Sequence, residues 1–244
     1  MIEAALWGLV GASSLLIGAI LAFVANLPRS IRGLILAFGA GALFGAVAYE
    51  LIADAVAPES AGLEVAVGFG LGAIVFYAGS GAIDHVAGRA ADGEDGEQGR
   101  ARRRGLSLLL GAVLDGIPES VVLGISLLGG GVGVPILVAI FMSNLPEAFT
   151  ASEDLAEAGL RRRWIIGLWA AVVVASAIAA GLGFGLLQDA PSQVIGAIQA
   201  FAAGGILAML AESAIPEAYE LGGRPVSLAT CLGFAVATYL SLVA

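Results

Sequence analysis

The sequence predicts an all-α membrane protein of eight transmembrane helices, with both termini outside the cell. Three observations predict it. Of 244 residues, 59% are hydrophobic and only 13% charged, about half the charge of a typical soluble domain. A chain of this size has too little interior to hide so many apolar side chains from water. The apolar residues fall into eight runs, each near the roughly 20 residues that a span requires. The cations, all arginine, gather in alternate connections between those runs. The first observation excludes a soluble enzyme. Charge excludes a nucleic-acid partner, because twenty acids against eleven arginines leave a net charge of −9 that repels phosphate. Membrane lipid is therefore the first partner implied, and the 36 glycines suit helices that pack closely within it.

The first run covers about Leu6–Ala25 and closes at Asn26-Leu27-Pro28. It follows Met1-Ile2-Glu3 with no basic residue ahead of it, and so reads as a retained helix and not a cleaved signal. The second run covers about Ile31–Ala53 and the third about Leu63–Ile83. Asp84–Arg104 follows, with Asp92-Gly93-Glu94-Asp95-Gly96-Glu97 and then four arginines. Its polar, Gly-rich composition predicts a mobile cytoplasmic loop over about 84–104. The fourth run is about Gly105–Leu128, before a turn at Gly129-Gly130-Gly131. The fifth is about Gly133–Ser152, the sixth Trp164–Leu187, the seventh Gln193–Ile215 and the eighth Val226–Val243. Together they read as a single transmembrane domain over residues 1–244. Cys231, the only cysteine, excludes an intrachain disulfide and reads as a packed apolar residue.

Orientation follows from the arginines. Arg29 and Arg32 lie between runs one and two, and five arginines from Arg89 to Arg104 lie between three and four. Arg161–Arg163 lie between five and six, and Arg224 between seven and eight. The remaining connections have none. The positive-inside rule then makes those four connections cytoplasmic.

The chain also resembles itself. Phe38-Gly39-Ala40-Gly41-Ala42-Leu43-Phe44 matches Phe201-Ala202-Ala203-Gly204-Gly205-Ile206-Leu207, an ungapped register that sets Glu50 opposite Ser213 and Asp54 opposite Glu217. Spans two and seven cross in opposite senses, so spans 1–3 and 6–8 read as inverted repeats flanking a central pair, four and five. The central pair repeats as well: Asp115-Gly116-Ile117-Pro118-Glu119 matches Ser143-Asn144-Leu145-Pro146-Glu147. Inverted repeats around a midplane site are a property of secondary transporters.

Chemistry concentrates in that pair. Asp115, Glu119 and Glu147 lie near the middle of apolar spans, where each ionised carboxylate costs about 2.5–3.5 kcal/mol. No arginine or lysine lies in the apolar body of a span, Arg32 at the edge of the second run being counted with the connection before it, which leaves protons, water or a metal ion as compensation. Asp115 and Glu119 are spaced i,i+4, as are Ser143 and Glu147, so each pair shares a helix face. Pro118 and Pro146 cannot donate to the carbonyls of Leu114 and Met142, which predicts a kink in each helix and an under-satisfied oxygen. Facing one another, these groups form an oxygen cage for a divalent cation. The competing reading is protonated acids bonded to neighbouring helices.

These segments resemble the fourth and fifth helices of the ZIP (Zrt/Irt-like) divalent metal transporters, which carry His-Asn-x-Pro-Glu and His-x-x-Pro-Glu motifs. Ile215-Pro216-Glu217 resembles the end of that family's seventh helix, and the resemblance extends to eight spans with both termini outside. It implies a binuclear metal site between helices four and five, with Glu119 and Glu147 as shared ligands and Asp115, Ser143 and Asn144 at the other ligand positions. It also makes a homodimer a candidate assembly. The departures are Asp115 and Ser143 where histidine is usual, and Gly116 where asparagine is usual. The implied substrate is a divalent ion of the Zn, Mn, Fe or Mg class, carried inward across the plasma membrane. An all-oxygen cage tilts the preference from zinc toward harder ions. Two alternatives remain: a transport-incompetent metal sensor or scaffold of the same fold, and a membrane-embedded metalloenzyme. Glu50 and Glu212 are candidates for an acidic second site, while Asp54, Glu217 and His85 read as solvated helix ends.

Overall fold

The computed structural model of the chain describes residues 1–57, 62–90, 96–129 and 133–243, and every regular element among them is helical. Among the described residues, eight helices are long and apolar enough to cross a membrane. They are α1 (Ile2–Val24), α2 (Arg29–Val56), α3 (Leu63–Ala90), α4 (Glu97–Ser126), α5 (Val134–Glu157), α6 (Arg162–Leu187), α7 (Ser192–Gly222) and α8 (Val226–Val243). Each contains one of the apolar runs. Proline marks several starts: Pro28 and Pro191 precede α2 and α7, and Pro135 occupies the first turn of α5, where its missing N–H leaves no bond unmade. Gly223, at φ 65°, ends α7 in a conformation that a Cβ would disfavour.

Several helices outrun their apolar cores. Within the polar stretch read as a loop, residues 84–90 continue α3 and 97–104 begin α4. Alanine, arginine and glutamate are good helix formers, and arginine stems can lie along apolar surface while their heads reach water. Asp92, Glu94 and Asp95 lie outside the described residues, as do Gly130 and Gly131 of the expected turn. Arg32, expected in a connection, lies inside α2 with its side chain 11% exposed. An arginine is thus available within a span after all.

The helices form two packed groups. α1, α4, α5 and α6 share a core around Leu15, Leu155, Ile165 and Trp169. A second core joins α2 and α7 to parts of α3, α4, α5 and α8, around Leu43, Leu51 and Leu210. The contact of α2 with α5 is the main seam between them. α3 and α8 expose Leu71, Ile74, Tyr77, Leu228, Leu232 and Tyr239, an outer surface suited to hydrocarbon. Cys231 is on that exposed side of α8 and is not packed inside. Glycine permits the closest approaches: a Cβ on Gly41 would collide with the Thr230 carbonyl of α8, and one on Gly72 with the Phe201 carbonyl of α7.

In the first group, the buried Trp169 indole of α6 donates to Ser152 Oγ of α5 at 2.8 Å. Trp169→Phe is expected to leave that hydroxyl unpartnered and open space beside it, costing about 1–3 kcal/mol. A thermal midpoint in detergent that does not fall would contradict this.

Two π-helical turns interrupt the long helices, Val47–Ile52 in α2 and Leu210–Ala214 in α7. In the register that aligns Phe38 with Phe201, Val47 falls opposite Leu210. Both wide turns therefore begin at the same place in the aligned segments, and each holds an acid, Glu50 or Glu212.

Candidate metal centre

All five residues singled out in spans four and five line one small space. A cavity of about 30 Å³ is lined by Asp115 and Glu119 of α4, Ser143, Asn144 and Glu147 of α5, and Met209, Ser213 and Glu217 of α7. A site of ~10–15 Å³ already holds a water molecule, so a small cation fits. α4 and α5 both run unbroken through their prolines, and the i,i+4 spacing keeps each polar pair on the cavity side.

The electrostatics are unfavourable without a cation. Glu119 is 1% exposed. Neither of its carboxylate oxygens has a hydrogen-bond partner in the protein, and Asp115 Oδ1 is likewise buried and unpartnered. Glu119 feels the charge of Glu147, and Glu147 those of Asp115 and Glu217, so burial and repulsion act together. Ser143 Oγ donates to the Ile140 carbonyl at 3.1 Å, which leaves its lone pairs as acceptors. The carboxylates line the cavity without converging: among the described residues, no three His, Cys, Asp or Glu side chains are grouped closely enough to hold a metal ion.

Gly116 turns elsewhere. It is buried, and a Cβ there would sit 3.6 Å from Ser176 Oγ of α6. Glu217, read as a solvated helix end, lines the cavity instead. The signal for it was present in the sequence: Pro118-Glu119, Pro146-Glu147 and Pro216-Glu217 are three of the four Pro-Glu dipeptides in the chain, and each brings its glutamate to this space; the fourth, Pro58-Glu59, lies outside the described residues. Ser213 stands four residues before Glu217, as Asp115 and Ser143 stand before Glu119 and Glu147; Met209 had no such signal. Of the remaining candidates, Glu50 approaches the α4–α5 turn near Gly133 and Asp54 pairs with Gln199. Glu212 accepts from Ser80 Oγ at 2.8 Å, and His85 is exposed. None of these lines the central cavity.

A wider cavity of about 880 Å³ opens at the arginine-bearing end, lined among others by Arg32, Glu153, Asp154, Glu217 and Glu220. Leu108 and Glu217 line both cavities and stand at their junction. Near the wide mouth, Arg32 pairs with Glu153 and Arg104 with Asp154, the latter through contacts of 3.2 and 3.3 Å.

The family model described as "ZIP Zinc transporter" matches residues 77–240, well over half of the chain. The match runs from within α3 to the last turns of α8 and includes every residue of α4, α5 and α7 that lines the central cavity. No curated protein matches the chain.

Proposed function

Since this chain belongs to the ZIP zinc transporter family, whose members move divalent metals and are not enzymes, we propose that its ion passes through the cavity between α4 and α5. It is an integral, multi-pass membrane protein. The observation that carries the site assignment is Glu119, buried beside other carboxylates with neither oxygen partnered. Such a group is costly in the membrane, and a bound dication would offset that cost. Asp115, Glu119, Ser143, Asn144 and Glu147 are the assigned ligands. Convergence on an ion would need their side chains to turn inward. The resemblance to the family's helices implies room for two ions.

With the arginine-bearing end cytoplasmic, both termini lie outside and the 880 Å³ cavity is an exit, so the conformation faces inward. The matched positions of the two π turns support reading spans 1–3 and 6–8 as inverted repeats, a construction suited to alternating access. Inward movement of a dication down a 100 mV potential gains about 4.6 kcal/mol. The plasma membrane and a homodimer are the assigned location and assembly. Uptake of Mn²⁺ or Zn²⁺ by proteoliposomes of the purified chain tests the reading. The dispersal of the carboxylates favours a second one, a transport-incompetent sensor, and zero flux with both ions would select it.

The donors lining the cavity are oxygen-rich and include no imidazole or thiolate. Carboxylate, carbonyl and water ligands suit Mn²⁺ and Mg²⁺, whereas imidazole suits zinc. Mn²⁺ is therefore expected to compete with Zn²⁺ for uptake within about tenfold. A Zn²⁺ preference of several hundredfold in a competition assay would contradict this.

A further inference from the structure

We infer that Arg32 is a resident counter-cation of the exit cavity, neutralising Glu153 and Glu217 so that a departing metal ion is not held there. The inference rests on the transport reading above. Arg32 projects from α2 into the 880 Å³ cavity, and only 11% of its side chain is exposed. One guanidinium nitrogen pairs with Glu153 of α5. The group lies 5.2 Å from the centre of the Phe149 ring, and Glu217 of α7 lines the same cavity. Its Nε is buried with no partner.

This is a poor arrangement for holding two helices together, because burying a guanidinium with incomplete hydrogen bonding costs more than an apolar contact. It is a good arrangement for cancelling charge. Glu217 stands at the junction through which an ion leaves the central cavity, and Glu153 lies on the same route. Arg104 pairs with Asp154 at the mouth and leaves Glu153 to Arg32. Arg29, Arg103 and Arg104 also line this cavity, but Arg32 is the cation in contact with Glu153, and without it that carboxylate would stand open beside Glu217 as a ligand of the kind that a divalent ion takes. Conduction requires that sites on a path bind weakly enough to release. A tethered cation meets that requirement, since it keeps the acids attractive at range yet already satisfied at contact.

The test uses the full chain in proteoliposomes, with Mn²⁺ uptake and equilibrium Mn²⁺ binding measured on wild type, R32Q, R32K and R32Q/E153Q. R32Q is expected to slow uptake about fivefold or more and to add about one bound Mn²⁺ per chain. R32K, which keeps the charge, should stay within about twofold of wild type, and adding E153Q to R32Q should restore uptake by removing the trap. If R32Q does not fold, R32M, which keeps the stem against Phe149, takes its place. Unchanged uptake and binding in R32Q would overturn the inference. So would a loss that E153Q does not relieve, because that loss would be structural. A wild type that moves no metal would overturn the transport reading itself, and this inference with it.

Discussion

Glu119→Gln is expected to abolish metal flux and leave the protein at least as stable as before. The two effects have one cause. Glu119 is 1% exposed, and neither carboxylate oxygen has a partner in the protein. An ionised carboxylate buried without partners costs several kcal/mol, and the amide, at almost constant volume, cannot ionise. A metal ligand disappears at the same time. Loss of residues that merely orient ligands lowers affinity about 10–100-fold, so loss of a ligand should lower flux about 100-fold or more. Proteoliposome uptake and a thermal melt in detergent give the two readouts. Flux within twofold of wild type would remove Glu119 from the site. A large fall in midpoint would show that its carboxylate is paired in the folded protein. The combination of a dead transporter and an undamaged fold is the signature of a group kept for function at the expense of stability.

The second large effect acts through packing. Gly39→Ala is expected to lower uptake and metal affinity about 10–100-fold without altering any ligand side chain. A Cβ on Gly39 would stand 2.6 Å from the backbone nitrogen of Ser143 and 2.7 Å from its Cα. Backbone atoms of α5 cannot rotate aside, so α2 and α5 must separate by roughly 1 Å. Ser143 and Asn144 move with α5 while Asp115 and Glu119 stay with α4. Constellations of this kind tolerate displacements of about 0.5 Å. Gly70→Ala is the control, since a Cβ there meets nothing within 4 Å and alanine is the better helix former. A Gly39→Ala variant equal to that control would show that the seam is softer than the geometry indicates.

What could be read in the sequence was what repeats or alternates. Eight apolar runs specified the eight spans, and the Pro-Glu unit repeated in register in spans four and five led to Asp115, Glu119, Ser143, Asn144 and Glu147, which one cavity gathers. What escaped depended on three-dimensional neighbours. Arg32 resembles any other arginine before a span until α5 brings Glu153 and Phe149 against it. Met209 lies on α7 outside any Pro-Glu unit, and only packing sets it beside the cavity. The polar stretch after span three misled because composition reports solvation, whereas residues 84–90 and 97–104 are both solvated and helical.

The two π turns, Val47–Ile52 and Leu210–Ala214, also govern how α2 and α7 can be read on a helical wheel. A π turn absorbs one extra residue without rotating the helix beyond it. The faces before and after it stay aligned, although the residue count between them has slipped by one. A single wheel drawn through either helix therefore misassigns everything on the far side, including Glu217 beyond the turn in α7. Removing one residue within a turn returns that segment to α spacing with its faces intact. Removing one anywhere else in the same helix swings the remainder through about 100°, carrying its lining residues away from the cavity. α2 and α7 each have one short stretch where length can change without a change of direction.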